Sequence, residues 1–357
     1  MSFKSHVTSD LSRALASWGN LSAPMCQWPG VACSLRGSRR GRVVALNLAE
    51  LNLLGTITPA LGNLTYLRRL QLSSNSFQGI LPTELGDHYD LKILQLNLNS
   101  IQGHLPPSLS NYKHLVEISL NSNKLQSSIP SEFSPLHNLE LLQLRNNRLE
   151  GKIPSSIGSL VNLKILVLES NNMTGEIPTE IGSIVNISVL RLGINQFCGM
   201  IPVSLGNLSA QTVLSMAANN LEGRIPSQQD LSSLEFLLLS RNKLEGTIPS
   251  WLGNLSSLEI INLEMNSLMG EIPESLGNLE LLTRLAFSWN NLSSSIPHSI
   301  GKLHALTQLY LDYNELGGLL PHSVFNLSSL EVLDVQFNNL TGGSLHDDTL
   351  LMAPKLP

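Results

Sequence analysis

The sequence predicts a solenoid: one elongated domain of the α/β type, built from about 13 stacked coils with a parallel sheet along one face. Three observations predict it. The string L-x-L-x-x-N returns at a fixed interval, placing Asn75, Asn99, Asn123, Asn147, Asn171, Asn195 and Asn219 at a period of 24 residues. After one interval of 23, Asn242, Asn266, Asn290, Asn314 and Asn338 resume that period. Within each repeat, leucines alternate with polar residues, the period of a short strand buried on one face. The composition agrees: 42% of the 357 residues are hydrophobic, but only 14% are charged and 5% aromatic, so the core must come from repetition. No apolar run approaches the ~18–20 residues of a membrane helix.

The elements follow in order along one repeat. In 67–90, Leu70 and Leu72 alternate with Gln71 and Ser73 as the strand. One coil cannot bury its leucines alone, whereas stacked coils share a continuous core. The asparagine that follows both donates and accepts, so a column of them satisfies backbone groups where each chain leaves the sheet. Gly79-x-Leu81-Pro82, with Gly151-Lys152-Ile153-Pro154 and Gly246-Thr247-Ile248-Pro249, turns the chain across the outer side, where proline needs no ladder partner. Counting back from Asn75 gives Leu51, so a first repeat exists without its asparagine. The repeats occupy 43–342.

These residues resemble the plant-specific leucine-rich repeat, L-x-x-L-x-L-x-x-N-x-L-x-G-x-I-P-x-x-L-G-x-L, which 151–175 and 246–270 match almost position for position. The resemblance implies an α/β-type leucine-rich-repeat solenoid, a right-handed superhelix with a parallel concave β-sheet. Two departures put Ser127 and Ser294 where glycine is usual, and the 23-residue repeat reads Ile225-Pro226-Ser227-Gln228-Gln229-Asp230-Leu231, where a small bend or altered turn is expected.

Residues 1–42 read as an N-terminal cap. Cys26-Gln27-Trp28-Pro29-Gly30-Val31-Ala32-Cys33 suits a disulfide that staples a small cap over the first coil, in an oxidising compartment. The segment resembles the cap of plant receptor ectodomains. Leu11, Leu15 and Trp18 have helix-like spacing, and Met1–Ser5 resembles the middle of the cap helix. No secretory signal is expected in the chain, and 343–357 reads as an irregular tail without a second cysteine pair. The chain therefore reads as starting inside its first cap and stopping before its last.

The candidate binding residues lie where the sheet should face outward. The early strands present Arg69, Gln71 and Ser73, then Gln95 and Asn97, then Glu117, Ser119 and Asn121, followed by Gln143, Arg145, Val167 and Glu169, a mixed polar surface. The last coils differ: the position before the ladder asparagine reads Met265, Trp289, Tyr313 and Phe337, with Tyr310, Asp312 and Asp334 beside it. Exposed aromatics flanked by carboxylates are typical interface anchors. The expectation is a peptide or protein ligand, one with basic residues. Glycosylation sequons stand at Asn20, Asn63, Asn172, Asn186, Asn207, Asn254, Asn291, Asn326 and Asn339, none on an outward strand position.

Enzyme readings fail. No phosphate-binding glycine loop and neither H-R-D nor D-F-G is present, the nine histidines lack metal-ligand spacing, and Asp312 with Asp334 would lie on an open, solvated sheet. No cofactor or metal is expected. Cys198 is a leftover thiol on a turn. Net charge is −5, and the only basic cluster is Arg36, Arg39, Arg40 and Arg42, which argues against nucleic acid as a partner. The chain resembles the ectodomain of plant leucine-rich-repeat receptor-like serine/threonine kinases, in the subfamily of flagellin and elongation-factor sensors and cereal resistance receptors. Beside the cap, Val43-Val44-Ala45-Leu46-Asn47-Leu48 and Leu54-Gly55-Thr56-Ile57-Thr58-Pro59-Ala60-Leu61-Gly62-Asn63-Leu64 carry that likeness. It implies ligand perception at the plasma membrane, a co-receptor ectodomain as partner, and a role in defence or development, without a membrane helix or kinase in this chain. The alternatives are a secreted wall protein resembling polygalacturonase inhibitors, and a truncated receptor fragment without activity.

Overall fold

A computed structural model describes residues 2–20, 24–87, 90–227, 231–341 and 351–352. The chain forms two compact units, Met1–Thr174 and Gly175–Pro357.

In the first unit, Val43–Asn47, Arg69–Gln71, Ile93–Gln95, Glu117–Ser119, Leu141–Gln143 and Ile165–Val167 pair in parallel, in sequence order. Each coil advances the register by 24 residues, so Leu70 lies beside Leu46 and Leu94. The alternation read in the sequence is the burial pattern: Leu70 and Leu72 are fully buried, while Arg69 is exposed. Burying each such leucine contributes about 1.5–3 kcal/mol. In the second unit the same arrangement runs from Val189–Arg191 through Val213–Ser215, Phe236–Leu238, Ile260–Asn262, Arg284–Ala286 and Gln308–Tyr310 to Val332–Asp334. Leu351–Met352, the described part of the tail, pairs antiparallel with that last strand.

The asparagines form the ladder. Asn99 Nδ2 donates to the carbonyls of Leu72 at 3.0 Å, Leu96 at 3.1 Å and Asn97 at 3.2 Å, while its Oδ1 accepts from the Phe77 N–H at 2.9 Å. Each carboxamide thus ties its own coil to the preceding one. The first coil has Leu51 instead, and Asn75 reaches back to the Leu48 carbonyl at 2.7 Å.

Two features lie beyond the sequence reading. After the asparagine the chain does not simply turn: Leu54–Thr56, Ser76–Ile80, Ser100–Gly103 and Lys124–Leu125 form a second parallel sheet in the first unit. The glycine that follows this strand position takes a left-handed backbone, as at Gly79 (φ 82°). Ser127 and Ser294 adopt the same conformation at φ 68°, which costs a residue with a side chain more, and their strands, Lys124–Leu125 and Asn291–Leu292, shrink to two residues. The outer side is then crossed by short 3₁₀ helices such as Pro59–Asn63 and Ser250–Asn254. Among the described residues the α-helix is confined to Ser2–Ser5.

The cap corrects one expectation. Residues 11–19 form successive turns rather than a helix, and Leu11 is 86% exposed while Leu15 and Trp18 are buried. Asp10 is the cause: its carboxylate accepts the N–H groups of Ala14 at 2.9 Å and Leu15 at 2.8 Å, donors a helix would have used. Cys26 and Cys33 are disulfide-bonded. The altered turn expected at Gln228–Asp230 lies outside the described residues, as does the tail apart from 351–352.

Candidate ligand-binding face

Every coil places the residue before its ladder asparagine in the left-handed region, because the chain must bend there to bring the carboxamide inward. Ser74, Ser122, Asn146, Ser170 and Ala218 hold that position in five coils, and Leu98, Ile194 and Arg241 in three others. Met265, Trp289, Tyr313 and Phe337 hold it in the second unit at φ 51–57°. For a bulky side chain this backbone costs about 1–2 kcal/mol. Trp289 and Tyr313 stack with ring centroids 3.8 Å apart and planes 17° from parallel, and Tyr313 and Phe337 stack at 4.2 Å and 20°. The rings therefore pack on one another, yet Trp289 remains 48% and Phe337 58% exposed. What faces solvent is a ridge of ring edges flanked by Met265.

Polar groups line the ridge. The register sets Tyr310 beside Ala286 on one side and Asp334 on the other. Asp312 accepts a short hydrogen bond from the buried Ser288 hydroxyl. Burial raises the Asp334 carboxyl above the ordinary carboxylate range; the Gln336 N–H, 3.3 Å away, opposes that, and the charge of Asp312 reinforces it. The structure thus brings together all seven predicted residues. It adds two that the sequence reading missed. Arg284 lays its guanidinium over the Tyr310 ring, 5.1 Å from the centroid, and its Nε has no hydrogen-bond partner among the described residues. Ser288 orients Asp312. The available signal was the small Ala286 between two strands with long side chains, which leaves Arg284 free to lean across.

The outward face of the first unit is different in kind. Gln71 donates to Gln95 at 2.6 Å, Gln95 to Glu117 at 2.6 Å, and Ser119 to both Asn97 and Gln143 at 3.0 Å. Arg145 lies 3.5 Å from Glu169. Ser119 and Val167, expected outward, are buried by their neighbours. This polar surface largely satisfies itself. All nine sequon asparagines are exposed, and Asn63, Asn207, Asn254 and Asn326 each end a 3₁₀ helix. Cys198 is exposed in the strand Gln196–Met200, which pairs in parallel with Asn220–Gly223 in a further sheet of the second unit, rather than on a turn.

Comparison with known proteins identifies the architecture. The leucine rich repeat N-terminal domain matches residues 1–34, and leucine rich repeat models match 113–173 and also 66–88, 233–255, 257–279, 281–303 and 305–327. The chain belongs to the leucine-rich-repeat family, as an ectodomain of the plant receptor-kinase type. Over 78 residues it is 50% identical to the LRR receptor-like serine/threonine-protein kinase EFR of Arabidopsis thaliana, a stretch covering 22% of this chain and 7% of that protein. A crystal structure of PEPR1–AtPEP1 superposes with a TM-score of 0.91 at 34% identity, covering 96% of this chain and 48% of that one. The ectodomain of GASSHO1/SCHENGEN3 from Arabidopsis thaliana, in complex with CASPARIAN STRIP INTEGRITY FACTOR 2, gives 0.87 at 35% identity, covering 95% and 44%. The chain spans less than half the length of either of those two chains. Among the described residues no helix is long and apolar enough to cross a membrane.

Proposed function

We propose that the chain is the extracellular, ligand-recognising repeat domain of a plant receptor-like kinase or receptor-like protein, acting in defence or developmental signalling at the cell surface. Its ligand is a peptide or protein segment that lays apolar side chains along the ridge Met265–Trp289–Tyr313–Phe337 and sets a basic side chain between Asp312 and Asp334. A co-receptor ectodomain is the further partner this reading implies. Chemistry is no part of it: the face binds.

The ridge carries the reading. In four successive coils bulky apolar side chains occupy strained backbone positions that the other coils fill singly with serine, asparagine, alanine, leucine, isoleucine or arginine, and they remain exposed where stability alone favours polar residues. Rings engaged face to face present their edges, which suits aliphatic and proline side chains. Four sequon asparagines, Asn63, Asn207, Asn254 and Asn326, end 3₁₀ helices well along the coil from the ridge, and none of the nine stands on an outward strand position.

Selection of a random peptide display library on the purified chain tests it. Recovered peptides are expected to share a basic residue beside apolar ones, and to lose at least tenfold in affinity when Trp289, Tyr310 and Tyr313 are replaced by alanine in a folded chain. Equal affinity for the triple variant refutes the assignment.

A further inference from the structure

The cap ends in a hairpin that nothing above uses. Val31–Cys33 pairs antiparallel with Val43–Asn47, and mutual backbone bonds between Ser34 and both Gly41 and Arg42 close the loop at 2.9 Å. Gly41 supplies the left-handed turn at φ 78°, and the disulfide to Cys26 anchors the loop where it leaves the strand at Cys33. The loop holds Arg36, Arg39, Arg40 and Arg42 over the edge at which the strands begin. There the following coils add Arg68 and Lys92: the Arg68 N–H bonds to the Val44 carbonyl at 2.8 Å and the Lys92 N–H to the Arg68 carbonyl at 2.9 Å, so the two stand one coil apart.

Positive charge is crowded here. Arg39 and Arg42 lie over the same Tyr66 ring, 5.2 and 5.9 Å from its centroid. Arg39 pairs with Asp90, and Arg68 shares that one carboxylate at 3.9 Å. Among the described residues no carboxylate pairs with Arg36 or Arg40, both exposed. In a chain of net charge −5, four arginines on one loop beside Arg68 and Lys92, with Asp90 pairing only Arg39 and Arg68 among the described residues, form a locally positive field that attracts anions.

We infer that this edge binds an acidic polysaccharide, a linear chain of uronate sugars. Two features favour that partner over an acidic polypeptide, and a third accounts for the attraction to carboxylates in general. Arg68 and Lys92 stand on successive coils, ~4.8 Å apart, whereas an extended peptide presents same-face side chains every ~6.6 Å; a polyuronide carries one carboxylate on each ring, nearer the coil repeat. A protein interface has an apolar centre, but here the aromatic ring is covered by two guanidiniums and the exposed apolar side chain on the loop is Leu35 alone. Planar guanidinium forks pair bidentately with carboxylates. This site lies in the first unit and is independent of the ridge.

Binding of the full chain to polygalacturonate, measured calorimetrically with EDTA present, decides it, with the methyl-esterified polymer and poly-L-glutamate as comparison probes. Polygalacturonate is expected to bind, the esterified polymer to fail, and affinity to fall steeply with salt as counterions are released. The triple variant R36Q/R40Q/R68Q should weaken binding at least tenfold and reduce the log–log salt slope by about 2, at ~0.7 per contact, with circular dichroism unchanged. The variant R224Q/K243Q/K302Q, which removes as many charges in the second unit, should bind as the unaltered chain does. No binding at low salt, equal binding by the first variant, or tighter binding of poly-L-glutamate each overturns the inference.

Discussion

Replacing Asn290 by alanine tests the ladder and the ridge together. Its Nδ2 donates to the carbonyls of Leu263 at 3.0 Å, Phe287 at 3.0 Å and Ser288 at 3.3 Å, and its Oδ1 accepts the Leu268 N–H at 3.0 Å. The losses are unequal. The Leu263 carbonyl keeps a donor in Asn266, and the Phe287 carbonyl keeps one in Asn314, so each loses a bond without being stranded. The buried Leu268 N–H loses its acceptor. An orphaned donor costs about 1–3 kcal/mol and each of the two lost bonds a further ~0.5–1.5 kcal/mol, placing the variant roughly 2–6 kcal/mol below the unaltered chain.

Asn290→Asp separates the contributions. It keeps an acceptor for Leu268 but aims its other carboxylate oxygen at the three carbonyls. Burial and those carbonyls raise its pKa above the unfolded value, so the variant should be least stable at neutral pH. It should recover as pH falls and the neutral acid donates. Urea unfolding followed by circular dichroism at neutral and mildly acidic pH measures both variants. An Asn290→Ala loss within ~1 kcal/mol, below the cost of one orphaned buried donor, or an aspartate variant indifferent to pH, refutes the reasoning. Because Trp289 precedes this residue, its fluorescence should also shift as the stack with Tyr313 loosens.

Other consequences are simpler. Asp334 has its pKa raised in the folded chain, so charging it costs stability as pH rises through its titration. Asp334→Asn should therefore stabilise at neutral pH, with the difference vanishing under acid conditions where Asp334 is protonated folded and unfolded alike; thermal unfolding across pH reads this directly. Affinity for a basic peptide should for the same reason begin to fall on acidification before an ordinary carboxylate would titrate. Replacing Cys26 and Cys33 together by serine removes a short loop constraint, expected to cost about 2–3 kcal/mol in chemical denaturation. In Gly253→Ala the new Cβ would lie 2.2 Å from the Ser275 carbonyl oxygen of the next coil, so a drop in melting temperature of several degrees is expected. The exposed Cys198 should react with a maleimide in the native chain, and Cys198→Ser should change stability by less than ~0.5 kcal/mol.

The repeat was legible because its constraints are local and recur at fixed intervals. Leu70 and Leu72 must point inward in every coil, and Asn75 must reach the backbone of its neighbour, so one period determines the sheet. The second sheet was not legible: strands such as Ser76–Ile80 rest on backbone pairing between coils, with no alternation strong enough to announce them. The cap misled for a related reason. Leu11, Leu15 and Trp18 satisfy helical spacing, but spacing cannot register that the Asp10 side chain takes the N–H groups of Ala14 and Leu15. At the site, the aromatic column was visible because it recurs at coil spacing, whereas Arg284 over Tyr310 is a diagonal contact between strands.

The same architecture explains why binding information can sit at the position before the asparagine. The ladder engages only backbone groups of neighbouring coils, and the sheet core takes only the two inward leucines. The side chain between them is free of both, so serine, leucine, arginine and tryptophan all occur there without altering the coil. What this position does impose is a left-handed backbone, a cost that rises with bulk at the β-carbon and is least for small residues or asparagine. Where four successive coils carry methionine, tryptophan, tyrosine and phenylalanine, the stacking of three rings returns about 0.5–1.5 kcal/mol per pair. That is comparable to the backbone cost and no more. Stability therefore does not select the column, and its exposed edges, set beside Asp312 and Asp334, are what selection for binding would leave.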